Sequence, residues 1–307
     1  MQDRTGQSTL RTIAMIGAGR MGGPMAVNLL RAGFTVVAYD TAEAQRTALQ
    51  QQGVVTVASV QQAIRQADVV ITMLPSDDIL IQVLEGPDQL LNRLTPNQIL
   101  IDMGTSKLAT SQRFAQLLAE RDVAMLDAPV SGGERGAREG TLSIMVGGKR
   151  EVFERCQPIF QAMGSTITYI GTHGMGLMAK YVNQMIMEAT FCTIAEAFGL
   201  AAKAGADMEA IYHAVRGGLG GSPVLDQMLP QLLEGNMGTG RELTLHYKDG
   251  AYALAAAEAL GGWTPITELT HSLFDQAMQA GQGTHSAAAV ARIYEQRMGV
   301  KLVQDNE

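Results

Sequence analysis

Apolar positions in the first 171 residues fall into short, near-continuous runs, each followed by a stretch with helical spacing. The runs predict strands at 12–17 (TIAMIG), 34–40 (FTVVAYD), 68–75 (DVVITMLP, stopped by Pro75), 98–105 (QILIDMGT), 123–130 (VAMLDAPV), 141–148 and 165–171. Between them, helices are predicted at 21–33, closed by Gly33, and at 60–66, 79–94, 111–122 and 152–163. Alternating strands and helices with apolar strands imply a parallel sheet covered on both faces, with right-handed crossovers.

From Gly174 the strand signal disappears. Helical patterns run at 176–204, 207–216, 223–234, 246–260, 265–280 and 285–298. The first is long enough to act as the spine of a second domain. The reading is therefore α/β: a Rossmann-type doubly wound parallel sheet over 1–173, then an all-helical substrate and oligomerisation domain over 174–307, entered through a long interdomain helix.

Composition changes little in this picture. A chain of 307 residues, 46% hydrophobic and 17% charged, suffices for two domains. A net charge of -7 without a basic cluster argues against nucleic acid or an anionic membrane as partner. No run of 18 consecutive apolar residues predicts a membrane span. The first ten residues lack an apolar signal core and read as a frayed tail. Cys156 and Cys192 read as buried free thiols of a cytoplasmic protein, and five scattered histidines predict no metal site.

Chemistry enters with GAGRMG, glycines at 17, 19 and 22, between the first strand and first helix. Gly17 permits a tight turn, Gly19 lets a pyrophosphate approach the backbone, and Gly22 lets the helix pack on the strand. Asp40 ends the second strand, where a carboxylate accepts ribose hydroxyls and opposes a 2′-phosphate. Arg20 and Met21 complete the turn. Leu74, Pro75 and Thr105 follow strands whose carboxyl ends border the same crevice. Thr105 and Ser106 have a second reading as caps of the following helix. The expected cofactor is NAD, with NADP admitted because Arg46 lies near Asp40.

DAPVSGGERGAREGTLSIMVGG (127–148) is dense in glycine. Ser131, Gly132 and Gly133 present a hydroxyl and backbone N–H groups suited to a carboxylate, or else form a flexible hairpin-like connection. Arg135 and Arg138 read as solvated surface residues. Lys180, Asn183 and Gln184 share one face of the long apolar helix. They form either a solvated stripe with a snorkelling lysine or a catalytic stripe, with Lys180 as acid–base and the amides on substrate. Lys248, followed by Asp249 on another apolar helix, is either a second functional lysine or half of a surface ion pair.

Four motifs, IGAGRMGGPMAVNLLRAG, DAPVSGGERGAREGTLSIMVGG, GMGLMAKYVNQMI and LHYKDGAYALA, stand in an order that resembles the β-hydroxyacid dehydrogenases. That family contains 3-hydroxyisobutyrate dehydrogenase and tartronate semialdehyde reductase (2-hydroxy-3-oxopropionate reductase), and RGGLGGSPVLD (216–226) looks most like the latter branch. The resemblance implies Lys180 as catalytic acid–base, Ser131, Gly132 and Gly133 at the substrate carboxylate, and Thr105 and Lys248 at the cofactor. Gln184 stands where some members have asparagine, and Gly250 replaces a common leucine, which bears on local packing. The expected substrate is a small carboxylate, and the all-round apolar character of 176–204 with the runs AYALAAAEAL and SAAAVARIY predicts a homodimer or homotetramer built through the helical half. A non-catalytic dinucleotide-binding module would not need Lys180 or the glycine turn. Imine-reducing relatives usually lack the lysine, and a sugar-phosphate decarboxylase would need a longer helical half with a basic pocket.

Overall fold

The computed structural model describes residues 10–238 and 240–302, so the expected tail at 1–9 lies outside the described residues. The chain divides into two compact units between Lys180 and Tyr181.

The first unit runs β1 (Thr12–Ile16), α1 (Gly22–Arg31), β2 (Thr35–Tyr39), α2 (Glu43–Gln50), β3 (Val55–Thr56), α3 (Val60–Ile64), β4 (Val69–Thr72), α4 (Asp77–Glu85) and α5 (Leu90–Arg93). It continues with β5 (Ile99–Asp102), α6 (Leu108–Ala119), β6 (Ala124–Asp127), β7 (Val130–Ser131), α7 (Gly133–Glu139), β8 (Leu142–Gly147), α8 (Arg150–Met163) and β9 (Gly164–Gly171). Strand order is β3-β2-β1-β4-β5-β6-β8-β7, with β9 beside β8. From β3 to β6 the sheet is parallel in the doubly wound order. Successive residues of β1 feed opposite faces: Ile13 and Met15 join the core with α1 and α8, while Ala14 and Ile16 join the core with α3, α4 and α6.

Four details differ from the sequence pattern. The sheet is mixed, because β8 runs antiparallel to β6 and β7. The link from β7 to β8 holds only the seven-residue α7, too short for a parallel crossover. The helix expected at 79–94 is two helices, because Gly86 turns extended ahead of Pro87 and ends α4. Pro129 likewise separates β6 from β7. Finally, α2 and β3 carry no clear apolar period; α2 buries only Leu49.

The second unit is helical: α9 (Met175–Lys203, crossing the division), α10 (Met208–Arg216), α11 (Pro223–Leu233), α12 (Leu243–Ala259), α13 (Pro265–Gln279), a 3-10 turn (Ala287–Val290) and α14 (Ala291–Met298). Ser222 and Asp207 cap α11 and α10 through their side chains. By length and composition α9 could cross a membrane, which counting uninterrupted apolar runs did not reveal. Its Lys180, Gln184 and Glu188 are nevertheless buried, and the first two bond to protein groups, as in a core helix.

Candidate active site

The predicted cofactor residues of the first unit lie at the carboxyl ends of β1, β2, β4 and β5. Gly17 has φ +89°, and a Cβ there would lie 2.4 Å from the Met73 carbonyl. A Cβ on Gly22 would lie 2.0 Å from the Gly17 carbonyl, so the start of α1 packs directly on the turn. Gly19 faces open space on its Cβ side, leaving its backbone approachable. These are the roles a dinucleotide pyrophosphate requires, and the turn fits that ligand. Asp40 accepts the Ala18 N–H at 2.8 Å through one oxygen and the Ala42 N–H at 2.8 Å through the other, so its carboxylate is aimed back at the glycine turn. Arg46 donates to the carbonyls of Asp40 and Thr41, at 2.7 and 3.2 Å.

Leu74 packs against this turn, its Cδ2 3.0 Å from the Cβ position of Gly17, while Pro75 is exposed. Met21 is half-buried against the sheet core. The N-cap position of α6 falls on Lys107, one residue beyond Ser106. The buried Asp77, at the start of α4, accepts the Lys107 N–H at 2.8 Å and the Thr110 hydroxyl at 2.9 Å. Ser106 instead donates to buried Asp102 at 3.1 Å. Asp102 also receives the Thr72 hydroxyl and the Gly104 N–H, and burial pushes its carboxyl above the usual range despite these bonds. The loop carrying Thr105 is thus held from both sides.

Ser131 ends β7, and the exposed Gly132 and Gly133, the N-cap and first residue of α7, take φ of +129° and +62°. Helix α7 replaces the flexible connection. Glu134 of this helix accepts from Arg20 Nε at 3.0 Å and from Arg138, linking the cofactor turn to the SGG turn. Arg138 and then Arg20 hold the Glu134 carboxyl below its usual range. Arg135 pairs with Glu139 on the exposed surface.

Lys180 is only 6% exposed, which removes the solvated-stripe reading. Its Nζ donates to the Val130 carbonyl at 2.8 Å, one residue before Ser131. The structure therefore brings the lysine to the segment that enters the SGG turn.

In the second unit Gln184 is fully buried and its amide is engaged: Oε1 accepts from Asn183 Nδ2 at 3.0 Å, and Nε2 donates to Asp249 at 2.8 Å. Asp249 is buried and also binds Arg241 at 2.6 Å and Lys248 at 2.9 Å. Lys248–Asp249 is thus no surface ion pair. Sequence reasoning passed over Asp77, Asp102, Asp127 and Arg241; an aspartate at the end of each of β5 and β6 was the available signal.

Residues 12–171 match the family profile described as the NAD binding domain of 6-phosphogluconate dehydrogenase. Residues 174–294 match that described as NAD-binding of NADP-dependent 3-hydroxyisobutyrate dehydrogenase. The chain is 38% identical to 3-hydroxyisobutyrate dehydrogenase of Pseudomonas aeruginosa, over 87% of this chain and 92% of the relative. It belongs to the β-hydroxyacid dehydrogenase family. To 2-hydroxy-3-oxopropionate reductase of Escherichia coli this family member is 36% identical, over 91% of this chain and 96% of the relative. A crystal structure of 3-hydroxyisobutyrate dehydrogenase from Salmonella typhimurium superposes with a TM-score of 0.85 at 27% identity, covering 92% of this chain and 99% of that one. β-Hydroxyacid dehydrogenases are NAD(P)-dependent oxidoreductases acting on CH–OH groups, and the glycine turn with Asp40 fits that cofactor.

Proposed function

We propose that this dehydrogenase interconverts a short 3-hydroxy acid and its 3-oxo acid, with Lys180 as acid–base. The observation that carries the reading is a buried lysine bonded to Val130, beside a glycine turn suited to a carboxylate. Ser131 and the backbone donors of Gly132 and Gly133 bind the substrate carboxylate. Lys180 takes the hydroxyl proton during oxidation and returns it to the forming oxygen during reduction. When bound, the nicotinamide accepts or supplies the hydride. Gly17, Gly19, Arg20, Met21 and Gly22 hold its pyrophosphate, Asp40 the ribose, and Leu74, Pro75, Thr105 and Lys248 the remainder. Asp40 favours NAD, because its carboxylate opposes a 2′-phosphate.

Tartronate semialdehyde and glycerate are the favoured pair. Buried Gln184 orients Asn183, whose amide then meets a hydroxyl on the middle carbon better than the methyl of 3-hydroxyisobutyrate. Similarity of 38% and 36% to the two named dehydrogenases favours neither substrate, so the preference rests on this polar pair. Comparison of kcat/KM for both pairs tests it, and a clear preference for the methyl-bearing acid would overturn it.

Homo-oligomerisation through the helical unit is also proposed. Its support is the set of exposed apolar side chains Val182, Ile186, Leu260, Trp263, Ile266 and Leu269, with Trp263 87% exposed. A cytoplasmic location accords with two buried, unpaired thiols.

A further inference from the structure

We propose that Asp127 is a positioning residue for Lys180, acting through the start of α9; this rests on the reading of Lys180 as acid–base. Asp127 is fully buried at the end of β6, yet it serves a helix some fifty residues away in sequence. One carboxylate oxygen accepts the Gly174 N–H at 2.7 Å, and the other the Leu177 N–H at 2.9 Å. A carboxylate from the sheet thus takes one orphan donor of the first turn of α9, at Leu177, and the N–H of Gly174 just before it, with the negative charge at the positive end of the helix dipole.

The seat is close on every side. A Cβ on Gly176 would lie 2.6 Å from the Asp127 carbonyl and 2.9 Å from its Oδ2, and one on Gly147 would lie 2.5 Å from Oδ1. The start of α9 therefore packs directly against Asp127 and the backbone of β6 and β8.

Both ends of the Lys180–Val130 bond trace back to this carboxylate. Lys180 is three residues beyond Leu177, and Val130 is three residues beyond Asp127. Asp127 therefore sets the height and rotation of α9 that deliver Nζ to the Val130 carbonyl. Removing its charge loosens the start of α9 and so shifts Nζ relative to the SGG turn. A displacement of about 1 Å suffices to cost up to about 10²-fold in rate.

His173 and Ser111 complete the support. His173 Nδ1 lies 3.4 Å from Asp127 Oδ1, and its Nε2 lies 2.9 Å from the Ser111 hydroxyl. The order Ser–His–Asp is that of a hydrolytic triad, but Ser111 is fully buried and no substrate carbonyl can reach it. The array orients the aspartate instead.

The test is a double-mutant cycle on the full-length protein with NADH and tartronate semialdehyde. Asp127→Asn should keep NADH affinity within about twofold and lower kcat by about tenfold or more, with KM nearly unchanged. The same substitution made in Lys180→Ala should cost nothing further, because the group it positions is gone. An equal loss in both backgrounds, or wild-type kcat in Asp127→Asn, overturns the proposal. Should Asp127→Asn fail to fold, Ser111→Ala loosens His173 more gently. It should lower kcat several-fold in the wild-type background only, and an unchanged kcat overturns the proposal equally. Normal turnover in Lys180→Ala itself would overturn the acid–base reading and this inference together. A silent Asp127→Asn beside an inactive Lys180→Ala would overturn this inference alone.

Discussion

A Cβ built on Gly250 would lie 2.7 Å from Glu188 Oε2, so the missing side chain on α12 leaves the space that the Glu188 carboxylate occupies on α9. His271 Nδ1 lies 3.1 Å from the same point. At this position the chain has room only for hydrogen. In an ordinary helix interior Gly→Ala gains about 0.5–1 kcal/mol. Here Glu188 is 1% exposed, with His246 Nδ1 3.9 Å from Oε1, and has nowhere to retreat. Gly250→Ala should therefore lose about 1–3 kcal/mol by overpacking, read as a lower Tm. Gly250→Ala combined with Glu188→Ala should recover part of the loss relative to Glu188→Ala alone.

Lys180→Ala should lower kcat by at least about 10², while NADH affinity measured by fluorescence stays near that of the parent. The lysine bonds to the Val130 carbonyl at the entry to the SGG turn, so its removal separates turnover from cofactor binding. Turnover close to the parent's would contradict the assignment.

Cofactor choice should turn on Asp40. The parent should show higher kcat/KM with NADH than with NADPH. Asp40→Ser should narrow that ratio by removing the charge, while Arg46, tied to the carbonyls of Asp40 and Thr41, stays beside the vacated position. A parent enzyme that prefers NADPH would refute the role given to Asp40.

Burial pushes the thiols of Cys156 and Cys192 from 9.0 up to about 12. At pH 8 both should resist a thiol reagent in the native protein and react at once after denaturation. The linkage has a definite sign. Above about pH 9 the unfolded chain loses these protons and the folded chain keeps them, so the thiols lower stability as pH rises from about 9 toward 12. Cys156→Ala should flatten the decline of Tm over that window.

Light scattering at micromolar concentration should give a mass at least twice the 32.7 kDa of one chain. Ile186→Glu and Trp263→Glu place charges on exposed apolar positions and should lower that mass if the helical unit carries the interface. A monomer before any substitution would end the oligomer proposal.

Periodicity alone determined most of the architecture here. The strands at β1, β2, β4, β5, β8 and β9, the change to helices after Gly174, and the glycine turn with its acidic partner were all legible. Each is encoded in neighbouring residues: apolar runs, a 3.6-residue repeat, a glycine where φ is positive at Gly17. The polar pattern of α2 hid one helix, and apolar spacing carried on through Gly86 and Pro87, where the chain leaves the helix between α4 and α5.

What tertiary structure decided was which polar groups meet. Position 180 was visible as an odd cation on an apolar helix, but its burial and its bond to Val130 were not. Asp77 capping α6, Asp127 seating α9 and Asp249 gathering Gln184, Arg241 and Lys248 were likewise hidden. Lys180 and Val130 are 50 residues apart, and Gln184 and Asp249 are 65. A hydrogen bond across such a distance leaves no period in the chain. It exists only because the buried donor and acceptor, cut off from water, must find each other once the backbone has brought them within reach.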